Sequence, residues 1–444
     1  MIYNITDFGA IADGKTNNAG SIQNAIDKCS DNGGGVVYIP SGEFLSGTLL
    51  LKSNVNLYLE QGAILKSSID QNDIINYTKD FETNTNDSGW EGGCFLCAFH
   101  SENITISGDG TIYGQGDKVF SDTDADNGYN ECPKDIKGLR PRTTFFEDIK
   151  NLTVKDVTFK DAAFWTLHMA GCKNVIVDRV KILNDPRGAN NDGIDPDSCK
   201  DVVISNCIIE SGDDAIVVKN TIEMGKKYGA CENVLINNCI LHSQDSALKI
   251  GTETHTGIKN VVLANCIVKE CSRGIGIWVR DGATVENIRV HDIIGSTRRY
   301  ADRFIVEGHP GWWGKGEPIF ISNTPRYENS TGKTGIIRNV TFENVEIDCE
   351  SGIYMRCDEG CPIENIKLKD ISLTRKKIGR LDSGMFDEQP SVRGKYEHEV
   401  PAIYANGIDG LLIKDFEVTK KEPYLKGWSD KEKIIKNCIN VKEV

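Results

Sequence analysis

Apolar and polar positions alternate with period two along most of this chain, in short runs that restart at near-regular intervals. Each run opens on Asn or Asp and often closes on Asn-Cys: "KNVIVDRVKI" from Lys173, "KDVVISNCII" from Lys200, "ENVLINNCIL" from Glu232 and "KNVVLANCIV" from Lys259. Further copies are "ENITISGDGTI" from Glu102, "KNLTVKDVTF" from Lys150, "ENIRVHDIIG" from Glu286, "RNVTFENVEI" from Arg338, "ENIKLKDISL" from Glu364 and "DGLLIKDFEV" from Asp409. Their second positions, 151, 174, 201, 233, 260 and 287, are 23, 27, 32, 27 and 27 residues apart. Period-two alternation predicts strands, and a unit this short cannot bury its own apolar face. Neighbouring units must stack, so the expected fold is an all-β, single-stranded parallel solenoid. The gaps between runs are too short and too polar for the amphipathic helices of an α/β fold.

Two recurring residues refine that picture. Asn at one phase predicts a ladder of side chains at a turn, and Cys207, Cys239 and Cys266 share a phase that points into the core. One segment breaks period two for a helical period: "NAGSIQNAIDKCSDNGGG" puts Ile22, Ala25, Ile26 and Cys29 on one face, ended by Gly33 to Gly35. A solenoid needs its open apolar end covered, so this helix is the expected N-terminal cap, within about residues 1–70 of a single domain spanning 1–444. Three stretches lose the rhythm altogether, near 114–145, 297–335 and 376–401. Long excursions from a rigid scaffold are expected to build a cleft.

Composition narrows the function classes. The 444 residues carry a formal charge of −14, which argues against a nucleic acid or an anionic membrane surface as partner. No 18-residue apolar span is present. The opening "MIYNITDFGAIADG" has neither a basic nor an apolar leader region, so a cytoplasmic location is expected, or secretion if a leader has been removed. Fifteen cysteines, several at one repeat phase, suggest reduced buried thiols. "CFLC" (Cys94, Cys97) and "CDEGC" (Cys357, Cys361) each resemble half a zinc site without a partner half, so neither a metal nor another cofactor is expected.

The candidate chemistry lies in "NNDGIDPDSCKDVVISNCIIESGDDAIVVK", residues 190–219. Asp192 and Asp213 are 21 residues apart, about one solenoid turn, which places them on adjacent coils. Crowded carboxyls raise one another's pKa and keep one protonated near neutral pH, as acid/base hydrolysis requires. Asp197 and Asp201 are read as turn residues.

This stretch, Asn-x-Asp-Gly-x-Asp followed by Gly-Asp-Asp, resembles the active-site stretch of family 28 glycoside hydrolases, the polygalacturonases and rhamnogalacturonan hydrolases. The opening "DFGAIADGKTNNAGSIQNAID…GGGVVYIPSGEFLSGTLLLKSNVNLYLEQGAIL" is similar to that of pectin-degrading right-handed parallel β-helix proteins, and the likeness runs from about residue 5 to 290. The resemblance implies that Asp213 protonates the leaving oxygen, that Asp192 and Asp214 activate water, and that Asp195 corresponds to a further acid found in some branches. Inversion would place the acid and base roughly 6.5–9.5 Å apart. Polygalacturonases also carry a Gly-His-Gly and an Arg-Ile-Lys that hold the galacturonate carboxylate. Here Ser246 stands in place of the His, and Gly276 and Trp278 in place of the Arg and Lys. A Trp face suits a neutral or deoxy sugar, while Lys249, Arg273 or Arg280 could supply a cation from a neighbouring position.

Other expected substrate contacts are His168, in "AAFWTLHMAGCKNV" with Trp165, and Trp312 and Trp313, in a stretch that also holds His309, Lys315 and Glu317. Adjacent tryptophans cannot both face inward on an extended strand. Arg140 and Arg142 are read either as surface residues or as contacts to an acidic sugar. The expected function is an inverting, metal-independent, exo-acting glycoside hydrolase on pectin-type oligosaccharides: galacturonan, rhamnogalacturonan-like, or a neutral or deoxy-sugar variant. The alternatives are a β-helix polysaccharide lyase, which needs a basic proton acceptor and commonly calcium, and a non-catalytic glycan-binding solenoid. Oligomeric state is left open by the sequence.

Overall fold

The computed structural model describes residues 1–77, 93–121, 131–138, 140–300, 312–327, 335–382, 384–393, 395–396 and 399–444. The alternating runs fold into the expected right-handed parallel β-helix, with 31 strands joined in one continuous sheet. One coil illustrates the unit: strands Lys200–Ser205, Ile208–Ser211 and Ile216–Asn220 are separated by turns. They pair in parallel with Cys231–Asn237, Ile240–Ser243 and Ser246–Thr254 of the next coil.

Register converts the sequence repeat into a core. Val175, Val202, Val234, Val261, Ile288, Val340, Ile366 and Leu411 stack one above the other. All are buried. Each inward aliphatic removed from water contributes about 1.5–3 kcal/mol. Cys207, Cys239 and Cys266 stack in the same interior, as their phase predicts. Cys94 and Cys97 are instead joined to each other in a disulfide.

The Asn ladder is present and has a conformational cause. Asn151, Asn174, Asp201, Asn233, Asn260, Asn287, Asn339 and Asn365 all have φ between 52° and 64°, the left-handed region that Asn and Asp tolerate. Side-chain amides link successive coils, Asn233 Nδ2 to Asp201 Oδ1 at 2.8 Å and Asn260 Nδ2 to Asn233 Oδ1 at 2.9 Å. Asp201, expected in a turn, lies inside the strand Lys200–Ser205 but has the left-handed φ of 59° that makes a corner there.

The helix Ala19–Asp31 buries Ile22, Ala25, Ile26 and Cys29 over the first coils, as a cap should. The excursions need one correction. Residues 297–335 are not all outside the solenoid, because Glu317–Asn323 is a core strand paired with Arg273–Val279 and with Ile353–Cys357. Its alternating residues Ile319 and Ile321 face inward, a run too short to stand out beside the glycines before it. In the third excursion Phe386–Asp387 pairs antiparallel with Lys395–Tyr396. Among the described residues no helix is long and apolar enough to cross a membrane.

Replacing Asn233 by Ala is expected to lower stability by about 1–3 kcal/mol, from left-handed strain plus the lost ladder bonds. Gly at the same position, free of the strain, should cost about 1 kcal/mol less. Denaturant melts of the two variants beside the parent check this difference.

Candidate active site

The turn that precedes the third strand of each coil carries the acids. Asp192 lies just before Ile194–Asp197, Asp213 and Asp214 just before Ile216–Asn220, and Asp245 just before Ser246–Thr254. Backbone bonds stack these turns: Gly193 N donates to Asp214 O at 2.9 Å and Ala215 N to Ser246 O at 2.9 Å. One carboxylate oxygen each from Asp192, Asp213 and Asp214 lies within 4.8 Å of the others. The adjacent-coil placement read from the 21-residue spacing is therefore correct. The separation is shorter than the range expected for inversion.

Neighbouring groups fix each acid differently. Asn191 Oδ1 accepts from Gly212 N (2.7 Å) and Asp213 N (3.2 Å), tying the two acidic turns together. Asp213 Oδ1 accepts from Asp214 N at 2.9 Å, and its Oδ2 from Asn190 N at 3.2 Å. Arg140, fully buried, donates to Ala189 O and Asn190 Oδ1 and so anchors the loop that holds Asp213. Asp213 is the half-buried member of the cluster, whereas Asp192, Asp195 and Asp214 are buried.

Two lysines complete the centre. Lys219 Nζ lies 3.3 Å from Asp192 Oδ2 and 3.7 Å from Asp195 Oδ1, and 4.3 Å from the Trp165 ring centre. Lys249 Nζ donates to Asp214 Oδ2 at 2.8 Å. Burial pushes Asp192 well above the usual carboxyl range, Lys219 works against that push, and Asp195 and Asp214 add to it. Burial likewise raises Asp195, Asp213 and Asp214 to about 7 each. Burial disfavours charge on both lysines, but the surrounding carboxylates outweigh it and hold their pKa values above the ordinary lysine value. The three aspartates are close enough to ligate a divalent cation, yet ammonium groups already supply positive charge to two of these carboxylates, Asp192 and Asp214.

Several expected substrate contacts turn out to be internal. His168 is 4% exposed, with Nε2 3.5 Å from Asp197 Oδ2, and burial lowers its pKa to about 4, so the ring is neutral. Asp197 is a buried strand residue rather than a turn residue, accepting from Thr221 N and Oγ1 where the short helix Ile222–Tyr228 begins. Arg142 is buried over Phe145, Phe164 and Trp165, so neither Arg140 nor Arg142 is a surface arginine. Trp278 is 1% exposed, stacked on Phe320, and its ring fills the space a Cβ at Gly276 would need. That is why the residue two before the Trp is glycine, and it leaves Trp278 no open face for a sugar. Arg280 is 2% exposed and donates to Pro390 O, Ser322 O and Glu388 O, so it ties down the third excursion instead of meeting substrate. Arg273 donates to Asp387 O and lies 3.6 Å from Asp245. Trp312 is buried with Nε1 bonded to Glu131 O, leaving Trp313 as the half-buried member of that pair. Lys315 and Glu317 are buried in the same support, and His309 lies outside the described residues.

Lys219, Asn190, Asn191, Asp245 and Glu253 were missed. The signal for Lys219 was parity: Ile216 and Val218 point inward, so Lys219 shares the outward face, level with Asp197. Asn190 and Asn191 read only as turn residues.

The two flanks of the cluster are walled. On one side Phe145 is buried against Met224 and Tyr228 of the helix Ile222–Tyr228, and Trp165 is buried edge-on to His168. On the other, the outward residues Trp278, Phe320 and Tyr354 lie under Phe386 and Val400 of the third excursion.

The fold and site define the class: a right-handed parallel β-helix with a carboxylate cluster on adjacent coils. The family model for glycosyl hydrolases family 28 matches residues 29–301, and the chain belongs to that family. It is similar to a probable polygalacturonase of Vitis vinifera, 29% identical over 232 residues, 51% of this chain and 46% of that protein. An exopolygalacturonase of Zea mays is 27% identical over 223 residues, 49% of this chain and 48% of its own length. The chain thus spans about half the length of the curated relatives it matches. Among solved structures, the family 28 exopolygalacturonase of Yersinia enterocolitica superposes with a TM-score of 0.73 at 18% identity, covering 99% of this chain and 78% of that one. A hyperthermoactive exopolygalacturonase from Thermotoga maritima gives 0.68 at 24% identity, covering 93% and 92%. At those identities the superpositions speak for the fold.

Arg280→Met should cost roughly 2–4 kcal/mol, because several buried carbonyls lose a charged donor. Limited proteolysis of this variant should cut within residues 376–401 much faster than in the parent.

Proposed function

We propose that this chain is a glycoside hydrolase that removes units from the end of pectin-type oligosaccharides with inversion. The observation that carries the reading is the group of three carboxylates on adjacent coils, one half-buried and two buried beside lysines. Asp213 is the general acid: it borders solvent, has no lysine on it among the described residues, and burial beside Asp192 and Asp245 holds its carboxyl at about 7, so it carries a proton at mildly acidic pH. Asp192 and Asp214, each against an ammonium group, take the proton from water. Exo action is supported by the aromatic clusters packed at both ends of the row of outward residues, which would limit the room for a polymer running along the solenoid. The sugar is galacturonan or rhamnogalacturonan-like, or a neutral or deoxy variant; the internal commitments of Lys249, Arg273 and Arg280 favour the last.

A second reading is retention. It is favoured by the carboxylate spacing, since oxygens within 4.8 Å are near the separation of retaining pairs, in which one acid attacks the sugar directly. Proton NMR of the first-formed anomer decides between the two: inversion is expected.

Asp213→Asn is expected to lower kcat by about 10²–10⁴-fold on a pectic oligosaccharide panel, with chelator leaving the parent rate unchanged. Release untouched by the substitution removes Asp213 from its role. The rate should also fall as pH rises through about 7, where Asp213 loses its proton, and fall below about 7, where Asp214 gains one, leaving a narrow optimum near neutral pH. In Asp213→Asn the high-pH fall should disappear.

A further inference from the structure

Lys249 offered itself as a cation for the substrate, but its position gives it other work. The strand Ser246–Thr254 directs Leu248 and Ile250 into the core and Lys249 outward, level with Val217 of the preceding coil. From there Nζ bonds Asp214 Oδ2 at 2.8 Å, while Asp214 Oδ1 is buried without a hydrogen-bond partner. Lys219 stands in a similar relation to Asp192, 3.3 Å from its Oδ2 and 3.7 Å from Asp195 Oδ1, and among the described residues Asp192 Oδ1 is likewise unpartnered. Each acid thus has one oxygen fixed by an ammonium group and one left over. Among the described residues no lysine lies within ion-pair distance of Asp213, which is held by the Asn190 and Asp214 amides.

We propose that Lys249 and Lys219 are positioning residues, each clamping one oxygen of Asp214 and Asp192 so that the two free oxygens face the attacking water as a matched pair. The inference rests on the hydrolase reading above and deepens it. It also gives the missing family histidine and the Arg-Ile-Lys device a consequence: this chain uses its nearest cation to hold a carboxylate of its own rather than one of the sugar's. The charged groups acting on Lys249 and Asp214 are Asp213, Asp245, Lys219 and Glu253, with Asp192 and Asp195 acting on Lys219 in turn. Removing the ammonium leaves Asp214 among acids, so its proton should be held to higher pH. The expected sign is an upward shift of the acid limb of the rate profile.

The test uses Lys249→Met and Lys249→Arg beside the parent, with kcat and KM measured from pH 4 to 8 on a free-acid oligogalacturonide and on its methyl ester. Infrared titration of the buried carboxyl band is run on the same samples. In Lys249→Met the acid limb should rise by about one pH unit or more. Its kcat should fall similarly on both substrates, and the infrared titration should shift in the same direction. Lys249→Arg should keep the limb and the titration near the parent's. A Met variant that raises KM for the free acid alone, with limb and titration unmoved, makes Lys249 a substrate anchor and overturns the proposal. If the parent turns over neither substrate, galacturonan is removed as its substrate, and the infrared titration still decides the lysine: an unmoved carboxyl band overturns its role.

Discussion

Crowding four carboxyls of one sign into a buried space is the constraint around which this molecule is arranged. Desolvation and mutual repulsion both oppose ionisation of Asp192, Asp195, Asp213 and Asp214. Two devices offset that cost. Lys219 and Lys249 bring compensating charge to within 3.3 Å and 2.8 Å of the buried oxygens. Asn191, Asn190 and the backbone amides orient what remains. The β-helix is the scaffold that makes such a cluster possible. Successive coils hold their turns at strand spacing, so residues about 21 to 30 positions apart in sequence meet side by side without any long loop having to close.

The same stacking explains how the site is bounded. Outward positions on the third strand of each coil form rows, and each row changes character along the solenoid. One runs Phe145, His168, Asp195, Val217, Lys249, Gly276, Phe320 and Tyr354. It is aromatic at both ends and charged in the middle. The aromatic ends are buried under the helix Ile222–Tyr228 and the third excursion, and the charged middle is the cluster. Arg273 and Arg280 pin that excursion, so two residues with the chemistry of substrate anchors serve as architecture.

How much of this was legible in the sequence follows from the range of the interactions involved. The coil repeat, the Asn ladder, the Cys stack and the capping helix are local or periodic, and alternation with fixed phase declared them. Asp192 and Asp213 were legible because their spacing matches one coil, and Asp214 joined them through the family resemblance. The destinations of Arg280, Trp278, His168 and Trp312 were not, since each depends on which excursion folds over it, and contacts such as Arg280 to Glu388 span more than a hundred residues. Lys219 was hidden for a different reason. Its strand reads as buried core, and only coil-to-coil register brings it to Asp192.

The proposed exo action rests on the aromatic clusters that bound the acids at both ends of the row. Its most direct test is the product distribution from a pectic oligomer labelled at one end, sampled at the earliest turnovers. The account predicts that a single terminal unit leaves at each step, so that the substrate shortens one unit at a time. A spread of internal fragments from the first time point would contradict it.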